Sequence, residues 1–103
     1  MTLTLDAVRP APHVHLDNRA LYVSDGARTV MVSLAQQRWL AETLDILAEE
    51  GRASRAQHHH VFGGFRADDG AVVLYAGAQE DLVAVQLTGE AFERLRSTLS
   101  SPR

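Results

Sequence analysis

The sequence predicts an α+β fold: two tandem copies of a mostly antiparallel β-meander followed by a helix, forming a pseudo-twofold duplicated single domain. The first observation is a repeat with a constant offset of 53 positions (74 minus 21). The recurring residues are Leu21-Tyr22, Val30, Val32, Leu34 and Trp39, which return as Leu74-Tyr75, Val83, Val85, Leu87 and Phe92. The second observation is that short β-prone runs precede a helical pattern in each copy. We therefore expect one domain over residues 1–103, with halves at about 13–51 and 57–99.

The strands are predicted from β-prone runs and from the turns between them. Residues 2–8 alternate weakly and predict a first strand, which the prolines at positions 10 and 12 end. Asp25-Gly26 and Asp69-Gly70 are strong hairpin signals. Together these features predict two meanders, with strands at 14–16, 20–23 and 29–32 in the first half and at 57–66, 71–76 and 81–87 in the second. Residues 52–56 are predicted to be a polar connector.

Helices are predicted from capping residues and from apolar residues at helical spacing. Ser33, with Gln36 three residues later, provides an N-cap for the first helix, and Gly51 ends it. Thr88 provides an N-cap for the second. The apolar positions are Leu40, Leu44 and Leu47 in the first helix and Phe92, Leu95 and Leu99 in the second. Trp39 and Phe92 are expected to be equivalent core anchors.

Two-residue turns also predict the strand register, since facing residues lie on the same side of a sheet. Asp25-Gly26 places Leu21 opposite Val30, and Asp69-Gly70 places Phe65 opposite Leu74. One apolar face follows in each half, and we expect each helix to cover the face of its own half. The two faces are Val14, Leu21, Val23, Val30 and Val32, and Val61, Phe65, Val72, Leu74, Val83 and Val85.

Composition excludes several functional classes. The chain has no cysteine, which excludes disulfides and thiolate metal sites, and it has no apolar run of membrane-spanning or signal-peptide length. These features predict a cytoplasmic protein that does not enter a membrane. No nucleophile-elbow or phosphate-binding pattern is found, so we expect no enzymatic activity. The net charge of −3 disfavours sequence-independent binding to duplex DNA.

The predicted register leaves an unusually apolar second sheet face, which predicts a protein partner or a second copy of the chain. Its interaction residues are predicted to be Tyr22, Met31, Phe62, Tyr75 and Leu82. Two alternatives remain open at this stage. The aromatic residues would instead be internal if the sheet closed into a barrel. A bulge at Gly63-Gly64 would turn His58, His60 and Phe62 towards the helices.

A second functional hypothesis is single-stranded nucleic-acid binding. Tyr22 and Tyr75 would stack on bases, while Arg19, Arg28 and Arg66 would contact phosphates. The order of a meander and then a helix, twice over, is similar to that of Whirly and PUR-type single-strand binders. The similarity is confined to element order, so it implies no particular residue role.

The third hypothesis is a metal site. Two His-x-His pairs on strands each present both imidazoles to one side, so His13, His15, His58 and His60 are candidate zinc ligands. No carboxylate or cysteine at a recognised spacing completes the pattern, which makes this the weakest of the three hypotheses.

Overall fold

A computed structural model describes residues 12–17, 20–57 and 59–100. Its first sheet contains β1 (His13–Leu16), β2 (Ala20–Ser24) and β3 (Thr29–Ser33). A 3-10 turn (Leu34–Gln36) leads from it into helix α1 (Gln37–Glu50). The second sheet contains β4 (Arg52–Gln57), β5 (His60–Arg66), β6 (Val72–Ala78) and β7 (Asp81–Leu87), and helix α2 (Gly89–Ser100) follows it. Each sheet is antiparallel with its strands in chain order, which confirms the α+β class. The strand predicted over residues 2–8 lies outside the described residues.

The repeat is reproduced in the pairing of the strands. Leu21 faces Val32 in the first sheet, and Leu74 faces Val85 in the second, so adding 53 to both members of one pair produces the other. In addition, β2 packs on β7 and β3 packs on β6. Adding 53 to the residue numbers maps β2 onto β6 and β3 onto β7, so the two contacts correspond to each other in the repeat. Register and packing are therefore both consistent with a pseudo-twofold axis between the β2–β3 and β6–β7 hairpins.

The lengths of two turns differ from those predicted. Ser24 faces Thr29, which leaves four residues in the first turn instead of two. Leu21 consequently faces Val32 rather than Val30, but this shift of two keeps the same residues on the same face. Between β5 and β6, Arg66 faces Val72, which leaves five residues in the turn instead of two. Because the difference is an odd number, each residue of β5 lies on the opposite face from the one predicted.

The reversal of β5 makes part of the predicted core wrong. Phe65 faces Val73 and is 46% exposed, whereas Phe62 faces Ala76 and is fully buried. Val61 also points away from the helices, while His60 and Arg66 lie on the helix side. Phe62 therefore points to the helix side, as it would with a bulge at Gly63-Gly64. No bulge is present there, because the pairing of β5 with β6 is continuous through both glycines, and the length of the β5–β6 turn is the cause.

The first helix covers the sheet of the other half. Helix α1 packs on β4 and β5, and α2 packs on β7 and on α1. The prediction that each helix covers its own sheet is therefore wrong for α1. Gly64 lies at this contact, where an added methyl group would collide with the Val73 carbonyl oxygen of β6 and would also lie 2.9 Å from Cδ1 of Leu47 on α1. Trp39 is only half-buried, with its ring 6.0 Å from that of Phe62, whereas Phe92 is fully buried.

The predicted connector at residues 52–56 is also wrong, because these residues form most of β4. Ala53, Arg55 and Gln57 alternate towards the helix side and are half-buried. Arg55 donates to Glu42 of α1 at 3.2 Å. The strand lacks large apolar residues, so its alternation between the two faces does not produce an alternating pattern of hydrophobic and polar residues in the sequence.

Neither described helix has the length and hydropathy needed to cross a membrane.

Candidate protein-interaction surface

The five predicted interaction residues do not form one surface. The inner faces of both sheets belong to a single core that includes Leu21 and Leu74, so the two outer faces point away from each other. Tyr22 and Met31 face each other on the first sheet, whereas Tyr75 and Leu82 belong to the second. The prediction for Phe62 is wrong, because this side chain lies inside the core.

The outward side of the four-stranded sheet carries two of the four exposed large hydrophobic side chains of the described residues, and we call it the outer sheet face. Phe65 is 46% exposed there and Leu82 is 37% exposed. Arg52 is the one formally charged residue among its side chains. By strand register these are Arg52, Ser54, Ala56, Val61, Phe65, Val73, Tyr75, Leu82, Ala84 and Gln86. Sequence reasoning missed Phe65 and Val61 because the β5 register was reversed.

Tyr75 is held against the middle of this face. Its hydroxyl donates a long hydrogen bond of 3.4 Å to the carbonyl oxygen of Ala53 on β4. The side chain crosses β5 at Gly63, where an added methyl group would lie 3.0 Å from the Tyr75 hydroxyl and would collide with the Ala53 carbonyl. Gly63 therefore provides the space for the tyrosine, which leaves Phe65 as the most exposed aromatic side chain on the face.

The outer face of the first sheet is more polar. The rings of His15 and Tyr22 stack with their centroids 6.0 Å apart. Tyr22 faces Met31, which is 55% exposed, and His13 and Thr29 are nearby on the same face. This surface has one large exposed aliphatic side chain among groups that water solvates well.

The cations predicted for nucleic acid do not surround the two tyrosines. Arg66 is on the helix side of β5, with its guanidinium carbon 5.8 Å from the centre of the Phe92 ring. Arg28, at the tip of the β2–β3 hairpin, donates to the Asp81 carboxylate and, at 3.1 Å, to the Leu82 carbonyl. Arg19 lies outside the described residues. Neither Arg28 nor Arg66 is placed beside Tyr75.

The predicted metal ligands are also distributed over different surfaces. His13 and His15 are on the outer face of the first sheet, whereas His60 is on the helix side of β5. His58 lies outside the described residues. Within the described part of the chain, no three His, Asp or Glu side chains come together as a metal site. His60 lies on the opposite face from Tyr75 for the same register reason as Phe62.

Comparison with protein-family models, curated proteins and solved structures finds no match for this chain. The class that the geometry defines is a small α+β domain in which two sheets and two helices share one core, with one sheet face left apolar.

Proposed function

We propose that this chain is a non-enzymatic protein-association module, and that its outer sheet face binds the same face of a second copy. The supporting observation is the exposed apolar surface around Phe65 and Leu82 on a face with one charged residue. An antiparallel sheet face that contacts only water normally carries polar and charged side chains. Aromatic enrichment and a shortage of charge are typical of the centre of a protein interface.

A second copy is favoured over a different partner because the surface is nearly uncharged. In a twofold dimer the same patch of each copy forms both sides of the contact, so a patch with a large net charge would be repelled by its counterpart. On the outer sheet face only Arg52 has that disadvantage, and it lies on the edge strand β4, where it can remain in water. Phe65, Val73 and Leu82 can pack against apolar residues of the second copy without burying a charge.

The outer sheet face is a limited contact surface. Four strands about 4.8 Å apart and about 23 Å long cover roughly 450 Å² in projection. Buried area alone does not determine affinity, but association also costs translational and rotational freedom. For a face of this size we expect a dissociation constant of micromolar order or weaker.

Single-stranded nucleic acid and an unlike protein are the alternative occupants. Stacking on Tyr75 contributes about 1 to 3 kcal/mol per base, but phosphate contacts need cations beside the stacked bases. Arg52 is the one cation among the side chains of the outer sheet face, and Arg66 lies on the other side of the sheet, so the described cations support this alternative less than self-association.

An NMR dilution series identifies the contact surface directly. Between about 1 mM and about 10 µM, we expect the amide resonances of Val61, Phe65, Val73 and Tyr75 to shift while those of His15 and Met31 remain in place. Adding a labelled single-stranded oligonucleotide should leave the spectrum unchanged at physiological salt. Shifts confined to the first sheet, or oligonucleotide shifts on the outer sheet face, would refute the proposed occupant.

A further inference from the structure

A groove of about 360 Å³ lies between strand β1 and helix α2. Val14 and Leu16 of β1 form one wall, and Ala91 and Leu95 of α2 form the other. Leu87, the last residue of β7, also lines the groove. Val14, Leu16 and Leu87 are only half-buried, so the described part of the chain leaves apolar surface uncovered there.

Strand β1 is an edge strand of the first sheet, and its open side lies at this groove. The Asp17 N–H donates to the Ala20 carbonyl at 3.1 Å, which makes these two residues a hydrogen-bonded pair. Hydrogen-bonded and non-hydrogen-bonded pairs alternate along an antiparallel ladder. In the register of β1 with β2, Leu16 and Val14 then belong to non-hydrogen-bonded pairs, so their N–H and C=O groups point away from β2. The same two residues therefore provide apolar side chains to the groove and backbone groups to an open sheet edge.

The other half of the repeat has a strand at the corresponding position. Strands β2 and β6 are counterparts, and β6 pairs with β5 as β2 pairs with β1. On its second edge β5 pairs with β4, and helix α1 packs on both of these strands. Among the described residues, β1 has no such second neighbour. Because α2 is the counterpart of α1, the pseudo-twofold arrangement predicts a further strand beside β1, next to α2.

The chain itself has a suitable sequence shortly before β1. Within residues 2–8, Leu3 and Leu5 alternate with Thr4 and Asp6, so in an extended conformation the two leucines share one side. Four residues, two of them proline, separate residue 8 from β1, which is enough for a turn that reverses the chain. Seven extended residues reach about 23 Å, whereas the four residues of β1 reach about 13 Å. Residues 2–8 are therefore long enough to cover the whole open edge.

We propose that residues 2–8 of the same chain bind along the open edge of β1 as an additional antiparallel strand, with Leu3 and Leu5 packed in the groove against α2. The backbone N–H and C=O groups of Val14 and Leu16 pair with this added strand. The contact covers the apolar groove and closes an edge that would otherwise be free to pair with other chains. Self-association through the outer sheet face does not depend on it, because that face belongs to the other sheet.

Hydrogen exchange of the full chain, followed by NMR, tests the pairing at this edge. Amides on an open sheet edge exchange nearly as fast as those of a free peptide, whereas amides bonded to a neighbouring strand are protected. We expect the amides of Val14 and Leu16 to exchange at least about tenfold more slowly than in a free peptide, at every protein concentration. We also expect nuclear Overhauser contacts between the methyl groups of Leu5 and those of Leu95.

Three variants test which residues make the contact. Leu5→Asp and Ala91→Glu each place a charge in the groove, from opposite sides, and should abolish the protection of Val14 and Leu16. Thr4→Asp, a matched change on the other side of the added strand, should retain it. The amides of β6 should stay protected in every variant, which shows that the domain remains folded.

Four results would overturn the proposal. They are free-peptide exchange of Val14 and Leu16 in the wild type, protection that survives in folded Leu5→Asp or Ala91→Glu, equal loss of protection in Thr4→Asp, and protection that rises with protein concentration. The last result would assign the edge to a second copy of the chain.

Discussion

Arg28 donates a hydrogen bond to the carboxylate of Asp81, the residue that follows it by 53 positions in the chain. Each of these residues is the other's counterpart in the repeat. Under a twofold relationship a residue can contact its own counterpart only near the axis, so this pair is consistent with a pseudo-axis between the tips of the β2–β3 and β6–β7 hairpins. The ion pair thus connects the two halves at one end of the molecule.

Breaking this pair should have a small, measurable effect on stability. The two side chains are 50% and 66% exposed, so solvent screening limits their coupling to about 0.2 to 1 kcal/mol. We expect a double-mutant cycle of Arg28→Ala and Asp81→Ala, measured by urea unfolding, to give a coupling in that range. Exchanging the charges, Arg28→Asp with Asp81→Arg, should recover part of it. A coupling of zero would show that the contact does not hold the hairpins together.

The two adjacent glycines of β5 should tolerate substitution poorly, for different reasons. An alanine at position 63 would collide with the Ala53 carbonyl and crowd Tyr75. One at position 64 would collide with the Val73 carbonyl of β6 and press on Leu47 of α1. We expect each substitution to destabilise the fold by about 1 to 3 kcal/mol, measured by thermal or urea unfolding. Only Gly63→Ala should also change the fluorescence of Tyr75. Equal stability of wild type and Gly64→Ala would contradict the close approach of β6 and α1 to this position.

Sequence reasoning predicted those parts of the fold in which hydrophobicity and periodicity coincide. The β2, β3, β6 and β7 strands and both helices were recognisable because large apolar residues alternate or recur at helical spacing in them. The repeat also predicted that Leu21 and Leu74 occupy equivalent strands, as their pairings show.

The errors come from turn length and from tertiary packing. A dipeptide such as Asp69-Gly70 indicates a turn but does not determine the number of residues in it. The turn has five residues instead of the two predicted, and this odd difference exchanged the faces of Phe62 and Phe65. Helix α1 packs on the second sheet with Leu47 against Gly64, and no periodicity in α1 reveals that contact. The outer sheet face was consequently predicted with one wrong aromatic residue.

Asp25 should make the stability of the first hairpin depend on pH. Its carboxylate accepts from the backbone N–H groups of Arg28 and Ala27, both at 2.8 Å, and these bonds lower the pKa of Asp25. A lowered folded-state pKa means that this stabilisation is present above the unfolded value of about 3.9 and is lost as pH falls through the folded value.

The test compares wild type with Asp25→Ala by urea unfolding at neutral pH and near pH 2. We expect the variant to be less stable at neutral pH and the difference to shrink in acid, since the protonated wild-type side chain no longer provides a charged acceptor. A difference that is independent of pH would mean that the turn does not depend on the ionised carboxylate.

Sedimentation equilibrium of three proteins tests self-association through the outer sheet face most directly. Wild type should approach a dimer of the 11.3 kDa chain as concentration rises into the high micromolar range. Phe65→Glu should be monomeric there, because dimerisation would bury an unpaired charge. Met31→Glu, a matched change at the more exposed residue of the first sheet, should dimerise like wild type. A monomeric wild type, a Phe65→Glu variant that still dimerises, or equal dissociation in both variants would contradict the proposal.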